Sequence, residues 1–452
     1  MIRNMRKVYL PLLIAFISWF ILFFVLGEKP ALTNDTIGQF NLLDAGIYLN
    51  WKPALYQAFL ALCRFCVGNE HAPYFAFTVQ IVFAFIGVVL ISLALYRKSS
   101  RLFLWLPLAV GLFFVKGAGM HVIGNDTMFA SAFLLAMGMF LFALNAENRF
   151  FRWGLSILAF PVMTFALAMR HNGFPLILCA LFYVCYAVNG KILRSTILSV
   201  IALLAMVAAM SLSNSLLNVR KSYPLNSPFV DDLVNLSIMH GEWHPFLLED
   251  PEAWYRNCDL KRHPGAVSAD NGNGYPHLFS VERETDGDFH ERIKRAWIDE
   301  VTSRPVDYLN LKLLFFHQTL VGGRSLPFID NLFTWKYPKA RVRLHDVYGW
   351  RCYVSYQFCM VAVIPWLTWL GIPTVFCLSW RRGKRRLCRQ LLLPLMFTIG
   401  IMGYILTFLP FTLAPTEWRY YTPQSTVSIV AMLITAIYLV AEANHAGKST
   451  PV

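Results

Sequence analysis

The chain has 452 residues, 57% of them hydrophobic and only 15% charged, with a formal net charge of +14 and a mean hydropathy of +0.49. Soluble domains carry about a quarter charged residues, so this composition excludes an ordinary soluble enzyme or a string of soluble domains. The excess Lys and Arg lies in short runs beside apolar stretches. That placement fits membrane orientation and anionic lipid head groups; no basic stripe with interleaved aromatics is present, and no nucleic-acid partner is expected.

In chain order, the first apolar span is expected at 8–27, with Arg3, Arg6 and Lys7 holding its start on the cytoplasmic side. The run is longer than a signal-peptide core, and Gly27-Glu28-Lys29-Pro30 is no small-residue cleavage site, so the span is expected to stay uncleaved. An outward loop follows, reading TNDTIGQFNLLDAGIYLNWKPALY from Thr33 to Tyr56. Ile37, Phe40, Leu43 and Ile47 recur there at helical spacing, which predicts an amphipathic helix lying flat on the membrane. Pro53 opens a second short apolar helix, to about residue 67. Further spans are expected at 72–96, 102–116, 127–144, 153–169, 173–188 and 195–212, most of them bounded by basic residues.

Residues 213–347 are rich in Pro, Gly, Asp and His and cannot lie in the bilayer as coil, because their backbone groups would go unsatisfied. They are read as one mixed outward domain, with helices from Asp288 to Thr302 and from Pro305 to Leu320. The last spans are expected at 352–378, 391–411 and 424–440, with the densest basic run, Arg381 to Arg389, between the first two. The fold class is therefore an all-α polytopic membrane protein of about ten transmembrane helices. Its parts are an N-terminal module over 1–212 with its outward loop at 28–71, the outward domain at 213–347 and C-terminal helices over 348–452. Ten spans with the N-terminus inside put Asp35, Asp126, Arg170, the outward domain and Arg419 on one face. No P-loop, no dinucleotide fingerprint and no internal repeat is evident.

Polar residues near that face are the candidates for chemistry. Asp35 either caps the helix that starts near Ile37 or is a carboxylate held at the water–lipid boundary, where it can take a proton from an attacking hydroxyl. Asp44 is the other acid of this loop, and Lys52, beside Pro53, is a cation at the interface. His121, Asn125 and Asp126 form a second outward cluster; Asp126 is read as either a cap or a second acid. Arg170 and His171 place charge outside, against the usual trend, which suggests an anionic partner. Glu417, Arg419 and Tyr420 make a third cluster; Arg suits phosphate oxygens because its fork donates two parallel hydrogen bonds. Asp286, Asp288, His290 and Glu291 look metal-like as text, but a solvated helix face explains them, and no metal site is assigned. Cys63-x-x-Cys66 lacks a second pair at zinc spacing and is read as two small residues on adjacent turns.

At this point the chain resembles the GT-C membrane glycosyltransferases, the superfamily of protein O-mannosyltransferases, aminoarabinose transferases and oligosaccharyltransferases. The resembling residues are Asp35 in the first outward loop, Gly46-Ile47-Tyr48, Lys52-Pro53-Ala54-Leu55-Tyr56, then Asn125-Asp126-Thr127 and Glu417-x-Arg419-Tyr420 before the last span. Asp35 has no acid neighbour, Asn125 stands where the family usually has a cation, and 213–347 has no counterpart. The resemblance implies a sugar moved from a polyprenyl-phosphate carrier to a cell-surface glycan or lipid-linked acceptor. The O-antigen-modifying transferases of the cytoplasmic (inner) membrane, working on its periplasmic side, are the closest subclass.

It also implies roles. Asp35 and Asp126 are the catalytic acids, and Lys52, Arg170 and Arg419 hold the donor phosphate. Asp44, Tyr56, His121, Asn125, His171, Glu417 and Tyr420 line the substrates. A divalent ion, Mg or Mn, is the alternative to protein cations at the departing phosphate. The partners are then the lipid-linked sugar, the acceptor and membrane lipids, with a functional link to a flippase and a lipid-sugar synthase. Two other classes stay open from the residues alone: a lipid-linked glycan flippase or other transporter, and a membrane O-acyltransferase or O-antigen polymerase, for which His121, His171 and His317 are the available imidazoles.

Overall fold

The computed structural model describes residues 2–25, 31–32, 34–49, 54–117, 120, 122–223, 225–249, 285–320, 364–407 and 422–448. In chain order these form α1 (Ile2–Phe20, continued by a π-helical turn, Ile21–Val25), β1 (Ala31–Leu32), α2 (Asn34–Asp44), α3 (Ala54–Val67) and α4 (Ala72–Lys98). A 3-10 turn, Arg101–Trp105, leads to α5 (Leu106–Gly117), β2 (Val122–Ile123), α6 (Asn125–Leu144) and α7 (Arg149–Met169). A second 3-10 turn, His171–Gly173, opens α8 (Phe174–Asn189), followed by α9 (Ile192–Leu216), α10 (Asn226–His240) and α11 (Pro245–Leu248). Then come α12 (Gly287–Ser303), α13 (Pro305–Leu320), α14 (Ile364–Arg381), α15 (Arg385–Leu406) and α16 (Thr422–Lys448).

Eight of the described helices are long and apolar enough to cross a membrane. Of the ten expected spans, the third and the eighth are not among these eight. The third expected span is the 3-10 turn plus the twelve residues of α5, about 18 Å of α-helix against the ~30 Å of a hydrocarbon core. The eighth is described only from Ile364, where α14 carries Pro373 and its basic end, and it is not one of the eight. Many large apolar side chains point outward on the spanning helices, among them Phe16, Phe20, Ile157, Leu193 and Leu204. In water they would form a sticky surface; against lipid tails they are matched to their solvent.

The core is built on α6, which is buried on nearly every face. It crosses α4 at a glycine notch. A methyl on Gly87 would lie 2.5 Å from the carbonyl carbon of Leu134, and one on Gly138 would lie 2.5 Å from the Gly87 oxygen. Small residues at a crossing let two membrane helices approach backbone to backbone. Gly87→Ala should therefore lower thermal stability in detergent by overpacking, by about 1–3 kcal/mol. Gly154→Ala, where nothing lies within 4 Å, should leave the melting temperature in place.

The amphipathic helix of the first loop is present but ends at Asp44 rather than reaching Ile47. The physical reason is Gly46, at φ +66°. The Gly46 amide donates to the Leu43 carbonyl at 3.1 Å and the Ile47 amide to the Leu42 carbonyl at 2.9 Å. That pair of bonds is the closure that ends a helix on a left-handed glycine. Cys63 is buried and Cys66 exposed on α3, both free thiols.

The described parts of 213–347 are mainly helical, with a β-bridge at Arg220. Phe229, Val230, Leu233, Val234 and Ile238 of α10 pack with Leu247 and with Ile293 of α12 in a small separate core. The Asp286 carboxylate caps α12, accepting from the amides of Asp288 at 2.9 Å and Phe289 at 3.1 Å. Asp286, Asp288 and Glu291 are exposed, while His290 is half-buried: it stacks on Tyr223, with ring centroids 4.4 Å apart, and its Nδ1 pairs with Asn226 Oδ1 at 2.7 Å. Asn235, a glycan-acceptor pattern by sequence, is fully buried in α10.

One buried ion pair ties this region together. Lys312 Nζ of α13 lies 2.6 Å from Asp232 Oδ1 of α10, and Trp297 Nε1 of α12 donates to Asp232 Oδ2 at 2.9 Å. Burial pushes the Asp232 carboxyl up, while Lys312 and the Trp297 bond pull it down. Removing one partner of such a pair costs about 3–5 kcal/mol, whereas an apolar replacement of both can be neutral. Asp232→Asn should thus lower the melting temperature of the detergent-solubilised protein, and Asp232→Asn with Lys312→Met should recover most of it.

In Lys312→Met alone, burial leaves the Asp232 carboxyl above its unfolded-state value. The neutral acid is then the form that folding favours. Its contribution is present below the unfolded pKa and is lost as pH rises through the folded one. The stability deficit of this variant should therefore shrink between about pH 7 and about pH 4.

Candidate functional site

The loops that follow α1 and α5 meet in a two-stranded parallel pair, β1 with β2, in the register Ala31 to Val122 and Leu32 to Ile123. Both strands are followed, at the same offset, by the tripeptide Asn-Asp-Thr: Asn34-Asp35-Thr36 and Asn125-Asp126-Thr127. Both Asn residues begin a helix, α2 and α6. Asp35 and Asp126 are therefore the second residues of two helices that leave one strand pair side by side. A carboxylate is favoured in the first turn, where the helix dipole is positive. The two tripeptides are identical in sequence, but only the strand pairing brings them into register.

The second loop is held from several sides. Thr36 Oγ1 donates to the Ile123 carbonyl at 2.8 Å. Gln80 of α4 donates from Nε2 to the carbonyls of Met120, at 2.9 Å, and Val122, at 3.2 Å. Thr426, in the first turns of α16, lies 3.8 Å from Met120 Sδ through its hydroxyl. These partners answer a requirement of the site: non-helical backbone among membrane helices must find its hydrogen bonds within the protein.

Asp126 is 3% exposed and forms an ion pair with Arg170, which is 16% exposed. Arg170 is the extended residue after α7, so the guanidinium arrives from the end of a second spanning helix. Asn125 Nδ2 donates to the carbonyl of Met169 at 3.4 Å. About one turn on, Gly173 lies against Phe129; a methyl there would meet that ring at 2.5 Å. Phe129 in turn stacks on Tyr404 of α15, with centroids 6.2 Å apart. The Asp126–Arg170 pair is thus seated where α6, α7, α8 and α15 converge. Its guanidinium carries five donors, more than one carboxylate can engage.

The other expected residues fall as follows. Tyr56 is buried in the core on α3 and stacks on Phe59, centroids 6.0 Å apart. Asp44 is engaged by Arg64 of α3 at 2.8 Å, and it stands nine residues, about 13 Å, along α2 from Asp35. His171 is exposed, in the turn that follows Arg170. The side chain of Asp35 and the whole of Lys52, His121, Glu417, Arg419 and Tyr420 lie outside the described residues. The far end of the first loop is fixed by a bridge from Leu49 to Arg220, whose amide donates to the Tyr48 carbonyl at 2.8 Å.

Sequence reasoning missed a set of buried polar side chains at this end: Thr36 and Gln39 on α2, Gln57 on α3, Gln80 on α4, and Gln424 and Ser428 on α16. The amide of Gln57 and Oε1 of Gln39 have no hydrogen-bond partner among the described residues. The signal was available: glutamine inside an apolar stretch is costly in a membrane and marks function or a specific contact. Among the described residues no three His, Cys, Asp or Glu side chains gather as a metal site.

The opposite end of the bundle differs in charge. Arg97, Arg101, Arg149, Arg152, Lys191, Arg194 and the run Arg381–Arg389 lie at the helix ends there, against Glu147 and Glu442. Lys384 meets Glu442 at 3.4 Å, and Asn145 Nδ2 of the α6–α7 turn donates to the Ala94 carbonyl at 2.9 Å.

Comparison with protein-family models, curated proteins and solved structures found no match to this chain.

The Asp126–Arg170 pair makes a direct prediction. A double-mutant cycle of Asp126→Asn and Arg170→Gln, read from chemical or thermal unfolding in detergent, should give a coupling of about 1–3 kcal/mol. Arg170→Lys should fall between, because it keeps the charge and loses the planar fork. A coupling near zero would mean the two side chains do not meet.

Proposed function

We propose that this protein is an integral-membrane glycosyltransferase of the GT-C type, which moves a sugar from a polyprenyl-phosphate carrier to a glycan or lipid-linked acceptor. The observation that carries the reading is the placement of two acids, Asp35 and Asp126, at matched helix starts on one end of the bundle, with a buried arginine against the second. The basic end is then cytoplasmic by the positive-inside rule, and the acids face the periplasm or exterior of a cytoplasmic (inner) membrane. Nucleotide sugars are confined to the cytoplasm, so a flipped lipid-phosphate sugar is the donor such a site can reach. A flippase and a lipid-sugar synthase are its expected functional associates.

The step balances without a redox partner. The acceptor hydroxyl gives its proton to the carboxylate of Asp35 as its oxygen bonds to the anomeric carbon. The bond from that carbon to the phosphate oxygen breaks, and the electron pair leaves with polyprenyl phosphate. Fixed cations at the departing phosphate lower the barrier where charge develops. Arg170 serves from the described site, with Lys52 and Arg419 as its companions. Carboxylate oxygens suit a hard divalent ion, and Mg or Mn is the alternative source of that charge. Asn125 and His171, flanking the Asp126–Arg170 pair, are assigned to substrate contact, as are Asp44, Tyr56, His121, Glu417 and Tyr420.

Asp35→Asn tests the reading, since Asn starts a helix about as well as Asp and folding should survive. With membranes carrying the protein and a radiolabelled polyprenyl-phosphate hexose, incorporation into polymeric or lipid-linked glycan should drop at least ~100-fold. Undiminished transfer would remove Asp35 from the mechanism. Passage of the labelled lipid across the bilayer with no transfer by the native protein would make it a transporter instead.

A further inference from the structure

The Asn-Asp-Thr repeat holds more than two acids. The third residue of the first copy reaches across to the second. Thr36 is buried, and its Oγ1 donates to the carbonyl of Ile123, the strand residue two before Asn125. A hydroxyl has one proton to give, so this donation points out of its own helix and into the other loop. The strand pair itself spans two residues on each side, too short a ladder to define a register firmly. The Thr36 bond adds a contact that depends on the correct register, because a slip of one residue would present a different carbonyl. The Gln80 clamp on Met120 and Val122 fixes the same loop from the opposite flank.

We propose that the two tripeptides act as one bipartite element, and that Thr36 is the positioning residue that fixes the backbone of Asp35 relative to Asp126. The inference rests on the transferase reading above and adds to it a residue that touches neither substrate. A displacement of about 1 Å between reacting groups can cost on the order of 100-fold in rate, so a residue that only sets a distance can govern turnover.

Thr36→Val keeps the shape and removes the hydroxyl; Thr36→Ser keeps the hydroxyl. With polyprenyl-phosphate hexose as donor, Thr36→Val should lower kcat about 10–100-fold with little change in KM. Thr36→Ser should retain most of the activity. Equal loss in both variants, or native turnover in Thr36→Val, overturns the proposal, and the latter beside an inactive Asp35→Asn leaves the transferase reading standing.

A second measurement needs no activity. Leu32→Cys with Ile123→Cys places thiols on register partners, and mild oxidation should cross-link them. Adding Thr36→Val should lower the cross-link yield several-fold, and adding Thr36→Ser should not. If the native protein transfers no sugar, the function falls, and this yield alone decides the bipartite element: an unchanged yield in Thr36→Val overturns it.

Discussion

A carboxylate buried at the end of a membrane helix bundle is tolerable only beside a counter-charge, and Asp126 has Arg170. Idealised transfer of such an ion into a low-dielectric medium costs on the order of 20 kcal/mol, so the pair constrains everything around it. To meet, α6 must begin where α7 ends. The Asn125 bond to Met169 and the contact of Gly173 with Phe129, about one turn on, hold those two ends together. The glycine notch between α4 and α6 belongs to the same constraint. It brings α4 close enough for Gln80 to hold the loop that leads into Asp126.

That loop is the second consequence. Irregular backbone at membrane depth persists only where its carbonyls and amides are answered. Here the answers come from distant parts of the chain: β1 and Thr36 from the loop after α1, Gln80 from α4 and the start of α16. The first loop is held twice, by β1 at its beginning and by the Leu49–Arg220 bridge at its end. The described residues of this loop are therefore fixed at two ends, to β2 by β1 and to Arg220, after α9, by Leu49. A helix start carried on such a loop is placed by others rather than by its own stability, which suits an acid that must hold a set distance from a second one.

Much of this was legible in the sequence, and the reasons are specific. Apolar length exposed eight spans, because hydropathy over about 20 residues is a strong signal. Pro53 and Pro305 marked helix starts at α3 and α13, since proline costs nothing where the amide has no partner. What failed was local. Gly46 ended α2 three residues before the periodic pattern ran out, because a left-handed closure outweighs one more apolar residue. Residues 102–116 read as a span until a 3-10 turn consumed their first third. Arg170 was singled out for its place against the charge trend, yet its partner was not foreseeable: Asp126 lies 44 residues earlier, and only the packing of α6 on α7 brings them together. The Asp232–Lys312 pair, 80 residues apart, was hidden for the same reason.

The division of charge between the two ends gives the site its electrical setting. At one end, arginines and lysines outnumber acids and face outward at helix termini, where water and anionic head groups screen them within about 10 Å. At the other, the cation at the described site is sunk into the bundle and already neutralised by Asp126. Among the described residues of the site, the Arg170 guanidinium is oriented by a fixed carboxylate, beside two helix starts whose dipoles also favour negative charge. Such an arrangement discriminates by geometry rather than by attraction. On the transferase reading proposed above, a lipid phosphate brought in along the membrane plane needs no long-range steering, because its chain already confines it to one depth, and what remains for the protein is to hold donors and acid at fixed separations. On that reading the strand pair, the Thr36 hydroxyl and the Gln80 clamp are the parts that hold them.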